Sequence, residues 1–389
     1  MELIRLAFKN ATRHKLRSIL TVFGIAVAIC AFGLIRTVIS AWYAGVEASA
    51  PNRLIIRNAV SLAFPLPISY RDTIKGIQGV EGISYAYWFA GIYIDEKHSQ
   101  FPQFAAFPAW FDIFPEVIIS TGQKEAFLRE RNAAIVGSKL AARFGWKIGD
   151  TIKLRGTFFP GDWDFVIRGI YTGAQKSSDE TWFVFHWQYI DERLRQTEPE
   201  RAGYVGWYTV KIADPDMAGD IAKAIDQRFK NSFAETITET EKAFQMGFVS
   251  MSDAILTALR IVSVLIIGVI LLVLSNTMAM GARERIPEYA ILKTLGFGAG
   301  RLVLIITCES LLIALAGGIL GIVLIYPAKS AFEKAMGDLM GAIFPYFEVD
   351  SKTILLSVVM TLCVAFASAV IPCWRSATLR ISEGLKRIG

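Results

Sequence analysis

Residues 261–282 read IVSVLIIGVILLVLSNTMAMGA, with no charge, and residues 283–300 follow at once as RERIPEYAILKTLGFGAG. At 1.5 Å per residue the first stretch reaches about 33 Å, enough to cross a hydrocarbon core of about 30 Å. The second is short, charged and helix-compatible until its glycines stop it. An uncharged span that opens onto a compact charged loop places part of this chain in lipid and part in water.

Three more segments have the same character. Residues 19–39 carry only Arg36, residues 302–326 only Glu309, and residues 353–374 no charge at all. The 389 residues are 53% hydrophobic with a mean hydropathy of +0.41, yet 20% are charged. A soluble domain is about 45–50% apolar, so the excess is the four spans. From about residue 41 to 257 the chain is polar, interrupted by Gly and Pro, and too evenly charged to span anything. The fold class expected is a membrane all-α bundle of four transmembrane helices plus an extracytoplasmic α+β domain inserted between the first and second.

Lys and Arg close to the spans fix orientation. Residues 1–18, 283–301 and 374–389, which fall on one side of four spans, hold thirteen basic and four acidic residues, net +9. The rest of the chain is left at −3, within a total of +6. Both termini are therefore expected in the cytoplasm, with the large domain on the opposite side of the membrane. The sequence pI of about 9.0 is a topology signal and not a nucleic-acid footprint. A signal peptide ending near Ala48-Ser49-Ala50 is the competing reading of the first span. The 18-residue basic leader and the length of the apolar run fit a signal anchor better. Cys30, Cys308, Cys363 and Cys373 all fall in or beside spans, which leaves the inserted domain no cysteine for a disulfide framework.

Between 51 and 241 the pattern changes to short β-rich runs and amphipathic helices. One βαβ-like unit runs from a strand at 53–57, through a helix capped by Ser69 with Asp72 three residues on, to a strand at 82–88. Another runs from a strand at 204–212, through a helix at about 216–229, to a strand at 234–237. Two such units suggest a split βαβ, ferredoxin-like sheet. A β-rich insertion lies between them, with strands expected at 133–136, 151–154, 165–171 and 182–185 and a turn at Gly149-Asp150. Its tryptophans, with Trp88 and Trp207, read as core packing, with a partner surface as the alternative. Phe244, Phe248, Met251, Ile255 and Leu259 form a heptad-like stripe that reads as a stalk continuous with the second span.

Catalytic motifs are sparse. Gly296-Phe297-Gly298-Ala299-Gly300 lacks the lysine of a phosphate loop and the spacing of a dinucleotide fingerprint. His14, His98 and His186 are the three histidines, with no pair at i,i+4 spacing and no cysteine nearby to build a zinc site. No catalytic, cofactor-binding or metal residue is expected in this chain. Glu309 is different, because a charge inside lipid costs about 2.5–3.5 kcal/mol on insertion scales. It reads either as a polar contact joining loop to bundle or as a carboxylate snorkelling to the interface. Gly317 and Gly321 form a GxxxG pair suited to close helix packing, and Gly24 and Ala28 a small-residue pair in the first span. In the loop, apolar Ile286, Tyr289, Ala290 and Leu292 need a covering surface, and a cytoplasmic protein is the expected partner.

These residues resemble the permease subunits of MacB-type ABC transporters, which include FtsX-like and lipoprotein-release permeases. Ala7-Phe8-Lys9-Asn10, then Lys15-Leu16-Arg17-Ser18-Ile19-Leu20-Thr21 with Gly24-Ile25, is similar to the family's leading helix and first span. In the inserted domain 77–81, Val136-Gly137, 149–152 and 166–170 resemble recurring family phrases in order. The strongest likeness is Asn276-Thr277-Met278, Arg283-Glu284-Arg285, Glu288, Leu292-Lys293-Thr294-Leu295-Gly296 and Glu309-Ser310. Pro372, Trp374, Arg375, Ala377 and Leu385 resemble the family's tail.

The resemblance implies that Arg283, Glu284, Arg285, Glu288, Tyr289, Leu292, Lys293, Leu295 and Gly296 couple the permease to an ATPase. It implies two copies of a separate ATPase chain that binds ATP and Mg, since MacB's amino-terminal nucleotide-binding domain has no counterpart here. It also implies a second permease, identical or homologous, and with it a periplasmic adaptor and an outer-membrane component as further partners. The function expected is export or extraction of a substrate by motion of the periplasmic domain; the alternative is an FtsX-like mechanotransmitter that regulates a cell-wall hydrolase. The organisation expected is an amphipathic helix at 1–18, first span and stalk at 19–50, the α+β domain at 51–241, and stalk and second span at 242–282. A coupling loop at 283–300, spans at 301–327 and 353–374 around an outer loop at 328–352, and a tail at 375–389 complete it.

Overall fold

The computed structural model describes residues 13–96, 98–99, 101–175, 178–336, 344 and 346–378. Four helices are long and apolar enough to cross a membrane: Lys15–Ala48, Asp253–Glu284, Ala299–Met336 and Ser351–Thr378. Each overruns its apolar core, because nothing in the flanking sequence breaks the helical hydrogen-bond ladder. The third passes Pro327 and runs on to Met336, so the outer loop expected to start at 328 begins as helix. Of the amphipathic helix expected at 1–18, residues 1–12 lie outside the described residues, and Lys15 to Ser18 form the first turn of the first spanning helix.

The chain divides into two units, one holding the spans and one the inserted domain Ala41–Ser252 with Met336–Tyr346. In the span unit the core is built from Ile25 and Ile29 of the first helix, Ile270, Leu274 and Met278 of the second, Ile306, Ile313 and Ala314 of the third, and Val364 and Ala365 of the fourth. Lipid tails are as apolar as these side chains, so shape and polar contacts decide how helices pack. A Cβ on Gly317 would stand 2.6 Å from Ile25 Cβ, and one on Gly321 2.7 Å from the Ala26 carbonyl oxygen. The GxxxG pair therefore lets the third helix lie against the backbone of the first. Gly318 packs on Thr361 of the fourth helix in the same way. Below it Ser310 Oγ donates to the Ala365 carbonyl at 2.7 Å and meets Ser368 Oγ at 2.8 Å. A Cβ on Gly24 would meet no atom of another element within 4 Å among the described residues.

The inserted domain contains β1 (Arg53–Asn58), β2 (Leu66–Pro67), β3 (Val80–Trp88), β4 (Gly91–Ile92), β5 (Gln103–Ala106), β6 (Val117–Ile118), β7 (Ala133–Gly137), β8 (Thr151–Gly156), β9 (Gly161–Gly173), β10 (Phe183–His186), β11 (Tyr204–Val205), β12 (Trp207–Ile212) and β13 (Thr236–Thr240). The main sheet runs β13-β1-β12-β3-β5-β10-β7-β9-β8-β4, with β6 on β9. Its first four strands are mutually antiparallel, and helices Tyr70–Lys75 and Ala218–Arg228 connect β1 to β3 and β12 to β13. That order is what two interleaved βαβ units produce. The insertion between β3 and β12 extends the same sheet, and β3 pairs with β5 while β4, two residues further on, pairs with β8. The inserted strands curl until their two ends meet on one short stretch of chain.

Alternation sets the faces: along β9, Trp163, Phe165, Ile167 and Tyr171 are buried, while Asp164 between them is exposed and Val166, Arg168 and Ile170 are half-buried. Trp110, Trp146, Trp163 and Trp187 are buried, and Trp88, Trp182 and Trp207 pack around Phe104. The first four tryptophans are core, and Trp88, Trp182 and Trp207 are half-buried.

Three local expectations change. Ser69 makes no side-chain cap and stands in helical geometry, so the first helix starts without the expected box. The strand expected at 204–212 splits at Gly206, whose N–H turns to the Ala86 carbonyl, leaving Tyr204–Val205 to pair with β2. The stalk stripe is not one helix: Glu241–Met251 and Asp253–Glu284 are separated at Ser252 (φ −103°, ψ 12°), and Phe248, Met251 and Ile255 are exposed.

At the base of the domain the incoming and outgoing chain are clamped together. Arg53 forks onto Glu241 at 2.8 and 3.1 Å, and Glu241 also accepts from the Ala50 N–H at 2.8 Å. Both side chains are buried, where a bidentate charge-assisted pair is at its strongest and loss of one partner costs most.

Two outcomes follow. Gly317→Leu should lower the thermal midpoint of the detergent-solubilised chain by the equivalent of about 1–3 kcal/mol of overpacking, while Gly24→Leu leaves it near wild type. His186 lies under the Phe127 ring with Nε2 2.7 Å from the Phe127 carbonyl, and burial holds its pKa below the ordinary 6.5. Its stabilising contribution is complete above pH 6.5 and is lost as pH falls through the folded value, because the unfolded chain then binds the extra proton. Thermal midpoints between pH 7.5 and 5 should fall more steeply for wild type than for His186→Gln.

Candidate coupling site

The loop between the second and third spans folds as a helix, Ile286–Thr294, with Pro287 in its first turn, where no N–H is required. It ends because Gly296 takes φ +88°, a left-handed conformation that suits glycine. The Gly296 N–H then reaches the Lys293 carbonyl and the Phe297 N–H the Leu292 carbonyl, which closes the helix with a Schellman motif.

Arg285, just before this helix, turns inward. Its Nη1 donates to Glu309 Oε2 at 2.6 Å, and the two residues are 5% and 7% exposed. Glu309 is thus a buried ion-pair partner, not a carboxylate reaching for the interface. Tyr289 lies buried beside the pair, and burial pushes its hydroxyl up to about 12, which keeps it protonated. Lys293 Nζ donates to the Ala377 carbonyl near the end of the fourth helix at 3.1 Å. Glu288 pairs with Arg13, and Glu284 takes a bidentate bond from Arg17 at 2.7 and 2.9 Å. Through these contacts the loop touches the first, third and fourth helices and is covalently part of the second.

The covering surface expected to come from a partner is supplied in part by the chain itself. Tyr289 and Ala290 are buried in the bundle, and Ile286 and Leu292 are half-covered. What faces outward is Arg283, Ile291 (46% exposed), Thr294, Leu295 (71%) and the glycine turn from Gly296. Gly317 and Gly321 lie elsewhere, on the third helix against the first. Sequence reasoning missed Arg13 and Arg17 as partners of the loop; they stand four residues apart, but were counted only toward orientation. Among the described residues no group of three His, Cys, Asp or Glu side chains could hold a metal ion.

A four-span bundle with a large α/β domain inserted after the first span, and a loop that contacts the first, third and fourth spans, defines a polytopic membrane protein. Residues 18–228 match the MacB-like periplasmic core domain, and residues 260–381 the FtsX-like permease C-terminal region. The chain belongs to the MacB-type, FtsX-like family of ABC transporter permeases. It is 23% identical to an uncharacterised ABC transporter permease of Methanocaldococcus jannaschii, across 99% of this chain and 98% of the relative. Similar solved structures include the periplasmic region of MacB from Actinobacillus actinomycetemcomitans, 11% identical over 52% of this chain and 95% of that one, TM-score 0.38. The extracellular domain of the noncanonic ABC-type transporter YknZ from Gram-positive bacteria is 12% identical over 49% and 100%, TM-score 0.34.

Removing one member of the buried pair strands the other. Glu309→Ala should cost about 3–5 kcal/mol, while Arg285→Met with Glu309→Met recovers most of it. Thermal denaturation of the full chain in detergent, read for both singles and the double, checks this non-additivity.

Proposed function

We propose that this chain is the permease subunit of an ABC transporter that converts ATP hydrolysis on a separate ATPase into motion of the inserted domain, exporting or extracting a substrate. The loop around helix Ile286–Thr294 carries this reading: it continues from the second span, contacts the first, third and fourth, and presents Ile291 and Leu295 outward. Two exposed apolar side chains on a short helix make a natural anchor for a partner pocket, with Arg283 at the rim. ATP and Mg belong to that partner, and two ATPase copies serve two permeases.

The basic segments around the spans support a cytoplasmic loop and cytoplasmic termini, with the inserted domain on the opposite side of the plasma membrane. An adaptor and an outer-membrane component are the partners such a machine would use to pass its substrate on.

The test is affinity purification of the full chain in mild detergent, with mass spectrometry of stoichiometric partners and an ATPase assay. An ATPase should copurify, and Ile291→Asp with Leu295→Asp should lower its association about tenfold or more while leaving the thermal midpoint in place. A purified chain with no ATPase overturns the reading, and a stoichiometric cell-wall hydrolase in place of an adaptor reassigns it to mechanotransmission.

A further inference from the structure

Arg13 and Arg17 lie four residues apart, and so do Glu284 and Glu288. The pairs meet in antiparallel order, Arg13 on Glu288 and Arg17 on Glu284, with His14 Nε2 3.6 Å from Glu284 Oε2. One turn further along, Thr21 Oγ1 stands 3.4 Å from Thr277 Oγ1. Residues 13, 17 and 21 therefore form one stripe, spaced i, i+4, i+8, facing 277, 284 and 288, spaced i, i+7, i+11. The spacings of 17 and 21 on the first helix and of 277 and 284 on the second each keep one helix face; Arg13 lies just before the first helix, and Glu288 lies past the break at Arg285, on the loop helix. This is a register, and isolated surface pairs rarely share one.

The register has a mechanical meaning. Helix Lys15–Ala48 is unbroken over 34 residues, roughly 51 Å, whereas the helical path out of the domain is interrupted at Ser252. A cavity of about 30 Å³ lined by His14, Arg17, Arg285, Tyr289 and Glu309 places this ladder beside the buried ion pair. The loop thus grips the third helix through a buried contact and the first through a solvent-exposed one.

Resting on the reading of the loop as the ATPase dock, we propose that Arg13 and Arg17 are positioning residues that latch the loop, through Glu284 and Glu288, to the start of the first spanning helix, so that the two move together. The latch holds both acidic residues of the loop, leaving Arg283, Ile291 and Leu295 for the partner. Because its members are half-exposed, it weakens with salt, whereas the Arg285–Glu309 pair does not.

The test is hydrogen exchange, followed by mass spectrometry, across residues 284–296 of the full chain in lipid nanodiscs. Arg13→Glu with Arg17→Glu should speed exchange there about three- to tenfold, and adding Glu284→Arg with Glu288→Arg should restore it. Unchanged exchange, or acceleration that the compensating reversal fails to restore, overturns the latch whether or not an ATPase copurifies. With the ATPase bound, the reversal should lower stimulated turnover and the four-residue swap recover it. Turnover that ignores both variants, in a complex whose exchange responds, overturns the positioning role. If exchange responds and is restored but no ATPase ever copurifies, the latch stands and the transporter reading falls.

Discussion

The Arg285–Glu309 pair sets the position of everything at the loop end of the bundle. Two charges are taken out of water, each at a cost of several kcal/mol, and only close geometry repays it. At 2.6 Å the geometry is close, and the low local dielectric makes departure from it expensive. Arg285 immediately precedes the loop helix, so fixing its side chain fixes where that helix begins and which face turns to the bundle. Tyr289, one turn on, is then buried, and Ile291 and Leu295 are turned out. The pair fixes orientation more than it adds stability, since an apolar substitute of similar volume would hold the same space without aiming the helix.

A second buried pair plays the corresponding part in the inserted domain. Arg53 and Glu241 close the base of the sheet where the chain arrives and departs, so β1 and the helix following β13 are held as one piece. The first helix runs unbroken to Ala48, whereas two helices, Glu241–Met251 and Asp253–Glu284, follow β13 with Ser252 between them.

What the sequence revealed follows from how local each signal is. The four spans are continuous apolar runs, and the two βαβ units have strands whose alternation or β-branching is visible within six residues. The two-residue strands β2, β4, β6 and β11 carry no such period and exist only because a neighbour supplies hydrogen bonds. The break at Ser252 was hidden because the apolar stripe continues across it: periodicity reports which face is apolar, not whether the backbone ladder is intact. In the loop the charged residues were legible, but their partners were not. Glu309 is twenty-four positions from Arg285, and Glu288 is 275 from Arg13. No window on the chain joins them.

The bundle shows why such partners must be polar or small. Much of the second helix is uncovered, with Ile261, Leu265, Val269 and Leu272 facing outward, which lipid tolerates at no cost. Hydrophobicity therefore cannot tell a span which neighbour to choose. The choice is made where lipid cannot substitute: at Gly317 and Gly321, where only a missing side chain admits the first helix; at Ser310, whose hydroxyl has no partner in hydrocarbon except Ala365 and Ser368; and at Glu309. All of these lie on the third helix. It is the element to which the first helix, the fourth helix and the loop are each fitted by a different kind of contact.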